Sequence, residues 1–549
     1  MRREKVTSML LSAIVILSLA SGIPLTSGLQ SSTLQKKWSY QFGKICYRMT
    51  FGPSPAVADI APEKSGIEII TGTDEYYPLT PVSGRWFAFT SDGRVLWTLQ
   101  TGNDESRSSV AIADIDEDGS LEMVGGTTSG SHIQCFNRLG KMKWTYKALS
   151  YVHSSPAVGD LDPEKPGLEI VAGSHDKGLY LIDNGGRLLW RLSLEGMIIS
   201  SPAIGDVDGD GSLEVVVSAS NKTWATHSSY YTYVYYYGYM KNVLYVVDKN
   251  GRIEWKKNFT DPVISSAALA NLDSDNALEI VVGGVDGKIY CLDGASGKEE
   301  WVYDTGAPIY SSPAIGDVDG DGELEVVVGN ANGKLLSLTA RTGTLEWSLE
   351  TGGEIWSSPA LANRGGNGLG IYIGTGGTSQ FSYSQQTSTW GITIYYLTSR
   401  TGNLLLVDGQ SGQLIDNFAA SGPIRSSPVV ADVDGNGKLD VLFIDWNING
   451  RDYDFLWCVE DTGSQVQPYS VEWGMFRKDE RRTGFYGPPV QNGKNFNTPA
   501  GKNVRVVAVD SETGNPTPVT VIFEELLTPG NTTAKTTSAT VSSGYFLMM

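Results

Sequence analysis

The chain is poor in the side chains that carry most covalent and redox chemistry. It has 4 cysteines and 4 histidines among 549 residues, with no Cys-x-x-Cys and no adjacent cysteine pair. Cys135, Cys291 and Cys458 fall at one position of a repeat described below, which makes them small core hydrophobes. Cys46 and Cys458 are the most that could pair, so no disulfide framework holds the chain. His132, His153, His175 and His227 are scattered without ligand spacing and read as surface or turn residues, His175 in the turn "SHDKG". No Gly-x-Ser-x-Gly elbow and no phosphate loop occurs, which excludes two of the commonest enzyme sites.

Positive charge is scarce too. Lys and Arg number 42 against 61 Asp and Glu, a formal charge of -19, which argues against nucleic acid as a partner. Long apolar runs are also missing, save one at the start. Arg2, Arg3 and Lys5 precede an apolar stretch from Met9 to Ala20, the charged and apolar regions of a secretory signal peptide. Cleavage is expected after Ala20 or by Gly28. The stretch is shorter than the roughly 20 residues that span a bilayer. The expectation is therefore an exported protein, secreted or at the cell surface, with no transmembrane span after cleavage.

What is abundant is glycine, 64 residues, and tryptophan, 14, the mark of an all-β protein full of tight turns. A serine anchor recurs as "PSPAVAD" at Ser54, "SSVAIAD" at Ser109, "SSPAVGD" at Ser155 and "SSPAIGD" at Ser201. It continues as "SSAALAN" at Ser266, "SSPAIGD" at Ser312, "SSPALAN" at Ser358 and "SSPVVAD" at Ser427. Ser155 to Ser201, Ser266 to Ser312 and Ser312 to Ser358 are each 46 residues apart. Eight strand-rich units of about 40–50 residues are the blades of a β-propeller.

Each unit reads as four strands, in unit six "SSPAIGDV", "LEVVVG", "KLLSLT" and "LEWSLE". The fourth carries Trp97, Trp144, Trp190, Trp255, Trp301 or Trp347, with Phe418 in unit seven. Large rings there fill the gap between wedge-shaped neighbours. Unit eight has no clear fourth strand after Cys458. "VEWGMF" around Trp473 is a candidate, but "KKWSYQFG" around Trp38 has the look of a fourth strand with no blade before it. Trp38 is expected to close blade eight, leaving few free edges.

The first two strands are joined by acidic loops. Calcium needs oxygen ligands at alternate positions, a glycine turn and a closing carboxylate. Unit two offers Asp114, Asp116, Asp118 and Glu122; unit four, Asp206, Asp208, Asp210 and Glu214. Unit six offers Asp317, Asp319, Asp321 and Glu325; unit eight, Asp432, Asp434, Asn436 and Asp440. Unit five keeps Asn271, Asp273, Asp275 and Glu279 with Asn276 in the glycine place, a weaker site. In units one and three, "DIAPEKSGIE" and "DLDPEKPGLE", a proline turn replaces the ion, and "NRGGNGLG" in unit seven has lost its carboxylates. The alternative is a set of plain Asp-Gly turns. Three or four carboxylates in one loop without a cation are costly, which favours structural calcium. No base or nucleophile accompanies these loops, so no catalytic role is read into them.

Three units exceed the common length: 55 from Ser54, 65 from Ser201 and 69 from Ser358. Each excess lies between second and third strands, on the face opposite the acidic loops, and unit eight adds "DWNINGRDYD" there. These insertions are aromatic: Tyr231, Tyr233, Tyr235, Tyr237 and Tyr239 alternate along one face of a hairpin. Tyr76, Tyr77, Tyr383, Trp390, Tyr395, Tyr396, Trp446 and Tyr453 join them from units one, seven and eight. They either pack as a lid over the ring or present a platform for an extracellular glycan or protein.

"GKIYCLDGASGKEEWVYDTG" resembles the repeat of pyrroloquinoline-quinone enzymes and their eight-bladed quinoprotein-like propellers. "SSPAIGDVDGDG" resembles the FG-GAP loops of integrin-type propellers. The likeness runs from about Trp38 to Gly487. It implies an eight-bladed ring with calcium loops, and it invites a quinone-dependent dehydrogenase or a calcium-dependent polysaccharide lyase as alternatives to a binding or scaffolding protein. The dehydrogenases typically carry adjacent cysteines beside the quinone, which this chain lacks.

The expected organisation is a signal peptide at 1–28, the propeller at 34–487, a linker at 488–502 and a partial β module at 503–549. The last resembles the start of an immunoglobulin-like or carboxypeptidase-regulatory-like sandwich. Asn221, Asn258 and Asn531 match the N-glycosylation acceptor pattern.

Overall fold

Alternating small and β-branched residues in "SSPAIGDV" and "LEVVVG" leave no polar face, so these strands must be covered on both sides. A computed structural model shows how. It describes residues 32–43, 53–73, 84–220, 222–227, 231–236, 241–376, 386–387, 393–394, 401–446, 453–466, 471–484 and the strands within 490–536, apart from single positions at 103, 129, 274, 276, 367, 480 and 481. Of 222–227, 231–236, 386–387, 393–394, 471–473 and the strands within 490–536 it gives the backbone path alone. The expected signal peptide, Cys46, Tyr76, Tyr77, Tyr237, Tyr239, Tyr383, Trp390, Tyr395 and Tyr396 lie outside the described residues.

Eight antiparallel sheets of at least four strands follow one another as blades. Blade six is Ala314–Gly316, Glu325–Gly329, Lys334–Thr339 and Thr344–Glu350, from the axis outward. The second strands are buried along their whole length, while the outer strands alternate exposed and half-buried. Blade eight takes Val429–Ala431, Leu439–Asp445 and Phe455–Asp461 from late in the chain and its outer strand, Leu34–Gln41, from the beginning. Trp38 pairs with Cys458 in that sheet, so the N-terminal strand closes the ring.

The doubled serine has two duties. The hydroxyl of the first accepts a second-strand amide of its own blade, as in Gly126 to Ser108 at 2.6 Å and Gly283 to Ser265 at 2.7 Å. The second serine ties blades together. Its backbone N–H donates to the matching hydroxyl of the next blade, from Ser54 to Ser109, then Ser155, Ser201, Ser266, Ser312, Ser358 and Ser427, at 2.9–3.0 Å throughout. Ser427 returns to Ser54 at 2.9 Å. Eight bonds thus form an unbroken circle around the axis.

The rim is tied by tryptophan. Seven indole N–H groups, from Trp38, Trp97, Trp144, Trp190, Trp255, Trp301 and Trp347, each donate to a carbonyl of the following blade at 2.6–2.9 Å. Each ring also lies on the glycine of that blade's third-to-fourth turn. At Gly343 (φ +67) a Cβ would stand 2.5 Å from the Trp301 ring, so only glycine permits both the turn and the stack. Blade seven differs from expectation. Register places Asp416, not Phe418, in the tryptophan position opposite Leu406. Asp416 accepts the Leu34 N–H at 2.8 Å instead, and Phe418 packs on Phe443 and Trp457 two residues further along.

Val471–Trp473, the candidate passed over in favour of Trp38, pairs with Ala360–Asn363 as a fifth, innermost strand of blade seven. One other expectation needs correction. The stretch expected to be a linker contains strands Val490–Gln491 and Lys494–Thr498. They share a sheet with Gly501–Asp510, Pro516–Leu526 and Gly530–Thr536. Cys135, Cys291 and Cys458 are buried and free, as expected of core residues, so Cys458 makes no disulfide. Among the described residues no helix is long and apolar enough to cross a membrane.

Candidate metal centres and the opposite face

Each acidic loop leaves the innermost strand and must turn sharply to begin the second. In blade six Asp317 accepts the amides of Gly320 and Gly322 at 2.8 and 3.1 Å, and Asp319 and Asp321 accept those two residues on at 3.0 and 2.8 Å. Aspartate is suited to this because its short side chain folds back on its own backbone. These bonds occupy both oxygens of Asp317 and one each of Asp319 and Asp321, and they fold the carboxylates toward one another.

Five clusters result, each with its ligand atoms within 4.8 Å of one another: Asp114, Asp116 and Glu122; Asp206, Asp208 and Asp210; Asp273, Asp275 and Glu279; Asp317, Asp319 and Glu325; and Asp432, Asp434 and Asp440. The structure therefore brings together three acids of each expected site, with Asp118, Glu214 and Asp321 outside the clusters. Asn271 is turned to other work, its amide donating to the Asp275 carbonyl at 2.6 Å, and Asn436 donates to Glu460 at 2.8 Å.

The closing carboxylate has a duty that sequence reasoning missed. It opens the second strand, is at most 2 % exposed, and accepts loop amides seven or eight residues upstream. Glu68 and Glu169 do so in blades one and three, whose loops lack the aspartate series. The glutamate is thus first a cap on the turn. Burial, and then the neighbouring carboxylates, push these acids up: Glu214 to about 9, Glu325 to about 8, Asp440 to about 6. Glu279 rises to about 7 through burial foremost, with Glu300, Asp273 and Asp275 adding to it.

Does a cation fit? Asp114 Oδ1, Asp116 Oδ1, Asp206 Oδ1 and Glu279 Oε1 are buried oxygens without a hydrogen-bond partner. Such atoms are expensive to enclose. The donor set is all oxygen, which suits a hard divalent cation such as calcium. Two blades already show a cation in place. Lys143 sets its ammonium 2.5 Å from Asp116 and 3.1 Å from Glu122, and Lys37 stands 2.5 Å from Asp434 and 3.0 Å from Asp440. The loops expected to hold calcium in blades two and eight thus carry an internal counter-ion. In blade seven Arg364 leaves the loop and binds Asp461 of blade eight through Nε at 2.5 Å and Nη2 at 3.0 Å.

The axis is filled by a segment with no forewarning in the repeat. After the fifth strand of blade seven, Gly474 accepts from Val430, Thr483 from Ile204 and Gly484 from Leu269, at 2.8–3.0 Å. Arg482, wholly buried, donates to the carbonyls of Val110 and Pro55 at 2.9 and 3.1 Å. Innermost strands of five blades are satisfied this way. Arg477, Lys478 and Arg482 all have positive φ, a strained path held by those bonds. An arginine pair shortly after the last blade was the available signal.

On the face opposite the acidic loops, Tyr310 stacks on Trp356 at 4.2 Å. Arg425 lies between Trp356 and Trp446, 4.5 and 4.9 Å from their ring centres, and pairs with Glu354 at 2.8 Å. The rings are half-buried and come from the starts of blades six and seven and the second-to-third connection of blade eight. Of the expected aromatic face, Trp446 belongs to this stack and Tyr453 is half-buried nearby in sequence. Tyr231, Tyr233 and Tyr235 lie on Tyr231–Tyr236, paired with Lys222–His227 as the expected hairpin. That hairpin meets Thr393–Ile394 of the blade-seven insertion.

His175 lies in its expected turn, and His153 packs on it edge to face at 4.5 Å, both half-buried. His132 stands 3.2 Å from Asp104, a buried carboxylate also held by the Gly130 amide.

The chain is similar to several known proteins. Among solved structures, Sqt1 of Saccharomyces cerevisiae is 11% identical over 76% of this chain and 97% of its own, with a TM-score of 0.50. BamB of Moraxella catarrhalis is 13% identical over 77% of this chain and 99% of its own, at 0.44. The V. cholerae biofilm matrix protein Bap1 is 14% identical over 80% of this chain and 92% of its own, at 0.40. No curated protein matches the chain. A family model described as outer membrane protein assembly factor BamB matches residues 175–354 and 240–515, well over half the chain. With its eight blades and this match, the chain belongs to that family of PQQ-like repeat β-propellers.

Proposed function

We propose that the protein is an exported, calcium-stabilised β-propeller that works as a binding or scaffolding protein, secreted or at the cell surface, with its ligand held on the aromatic face. The observation that carries this reading is the stack of Tyr310, Trp356, Arg425 and Trp446 drawn from consecutive blades. Flat rings flanking a guanidinium offer both stacking and hydrogen bonding to a sugar or a protein side chain. A stacked ring contributes roughly 1–3 kcal/mol when desolvated, so a few together give micromolar binding. The filled axis supports a ligand on the face rather than in a central tunnel. The family's description as an assembly factor fits a scaffold. Calcium in the FG-GAP manner keeps the ring rigid, and catalysis forms no part of the reading.

A glycan array tests ligand class and face together. Trp356→Ala, and separately a triple change of Tyr233, Tyr235 and Tyr237 to Ser, should abolish a hit while leaving the melting temperature within about two degrees. Loss of stability without any glycan hit would mark the aromatics as a lid.

A further inference from the structure

The outer strand of every blade carries a β-bulge against the third strand, and the bulged residue is set beside the acidic loop. It is Leu96 in blade one, Lys143 in two, Leu189 in three, Glu254 in four, Glu300 in five, Glu346 in six, Ile415 in seven and Lys37 in eight. The three blades without an aspartate cluster have an apolar residue there. All five with a cluster have a charged one. Chance does not sort eight independent positions so cleanly, and the reason is visible where the charge is positive. The ammonium groups of Lys143 and Lys37 reach the aspartates and the closing carboxylate of their own blades.

In blades four, five and six the same position brings a further negative charge. Register sets Glu254, Glu300 and Glu346 at the place that Lys143 and Lys37 hold in their own blades. Glu300 accepts from the Cys291 thiol at 3.5 Å, and Glu346 from the Ser337 and Thr339 hydroxyls at 3.1 and 3.0 Å, all on the third strand. No lysine or arginine forms an ion pair with these loops among the described residues. Adding a carboxylate to an uncompensated cluster is destabilising unless a cation of higher charge takes the place of the ammonium. Glu279 Oε1, wholly buried within the blade-five cluster and without a partner, is the kind of oxygen such an ion engages; in blade two Asp114 Oδ1 and Asp116 Oδ1 are also without a partner, and Lys143 holds the other Asp116 oxygen.

We propose that the bulge residue decides what neutralises each loop: Glu254, Glu300 and Glu346 complete divalent-cation sites in blades four, five and six, while Lys143 and Lys37 stand in for the metal in blades two and eight. This rests on the calcium reading above and sharpens it to three ions rather than one per acidic loop.

The test counts calcium bound per full-length chain by isothermal titration after chelation and dialysis. The wild type should bind three. Lys143→Glu should bind four, and Glu300→Lys should bind two while still melting cooperatively. Five ions in the wild type, or a count unmoved by both substitutions, would overturn the bulge rule and leave calcium binding intact. No calcium in the wild type would overturn the calcium reading itself. The two substitutions alter charge in opposite senses, so failure of one to fold leaves the other as a test.

Discussion

The backbone N–H of Ser427 donates to the hydroxyl of Ser54, 2.9 Å away and 373 positions distant in sequence. That one bond turns a row of blades into a ring, together with the Leu34–Gln41 strand on the rim. Ser54→Ala leaves a buried amide without its acceptor and should cost about 1–2 kcal/mol. Ser54→Thr, which keeps the hydroxyl, should cost less. Urea denaturation reads the difference, and equal midpoints for wild type and both variants would remove the ring from the stability account.

Rim contacts should be graded by residue. Trp347→Ala removes an indole that both stacks on Gly412 and donates to the Gly409 carbonyl at 2.7 Å. The expected loss is about 3–5 kcal/mol. Asp416, in the equivalent place of blade seven, has no ring to stack and accepts the amides of Leu34 and Asn417, and Asp416→Ala should cost about 1 kcal/mol. If Phe418→Ala proves as mild as Asp416→Ala, the blade-seven joint is weak throughout.

Acid should compete with calcium. In the ion-free protein burial raises Glu214 to about 9 and Glu325 to about 8, so at neutral pH both are largely protonated. A raised folded pKa means the folded state holds the proton more tightly than the unfolded one. The contribution is full below the unfolded value, roughly 4.5, and is lost as pH rises through the folded value. Calcium requires the carboxylate and reverses this trend. The gain in melting temperature on adding calcium should therefore be larger at pH 8.5 than at pH 5.5. Calorimetry at neutral pH in two buffers of different ionisation heat should show proton release on binding. A gain independent of pH, without proton release, would place the ions elsewhere.

The eight blades were legible because the serine anchor is set by a ring that repeats the same backbone geometry eight times. Trp38 was legible because an outer strand without a blade has one vacancy to fill. The place of Val471–Trp473 was not legible, since a three-residue strand of Val, Glu and Trp reads the same at the rim and at the axis; pairing with Leu361 decides. Phe418 misled because an aromatic is expected at a rim position, whereas a one-residue bulge decides which side chain occupies it. The aspartates of the loops were legible, but not what opposes them. Lys143 and Lys37 reach the loops from an outer strand, and Lys37 lies 397 positions from Asp434. Arg477 and Arg482 follow no period at all, so nothing in the spacing connects them to the axis.

Calcium holding the acidic turns should be the largest single lever on the protein's stability. Sites with extracellular affinity of about 10⁻³ M would each gain roughly 1.4 kcal/mol in ~10 mM calcium, and three would give about 4 kcal/mol, a sizeable share of a domain's margin. Differential scanning calorimetry of the full chain, in chelator and then in excess calcium, measures this. The melting temperature should fall in chelator and return with calcium but not with an equal ionic strength of sodium chloride. Superimposable scans in chelator and calcium would contradict the account.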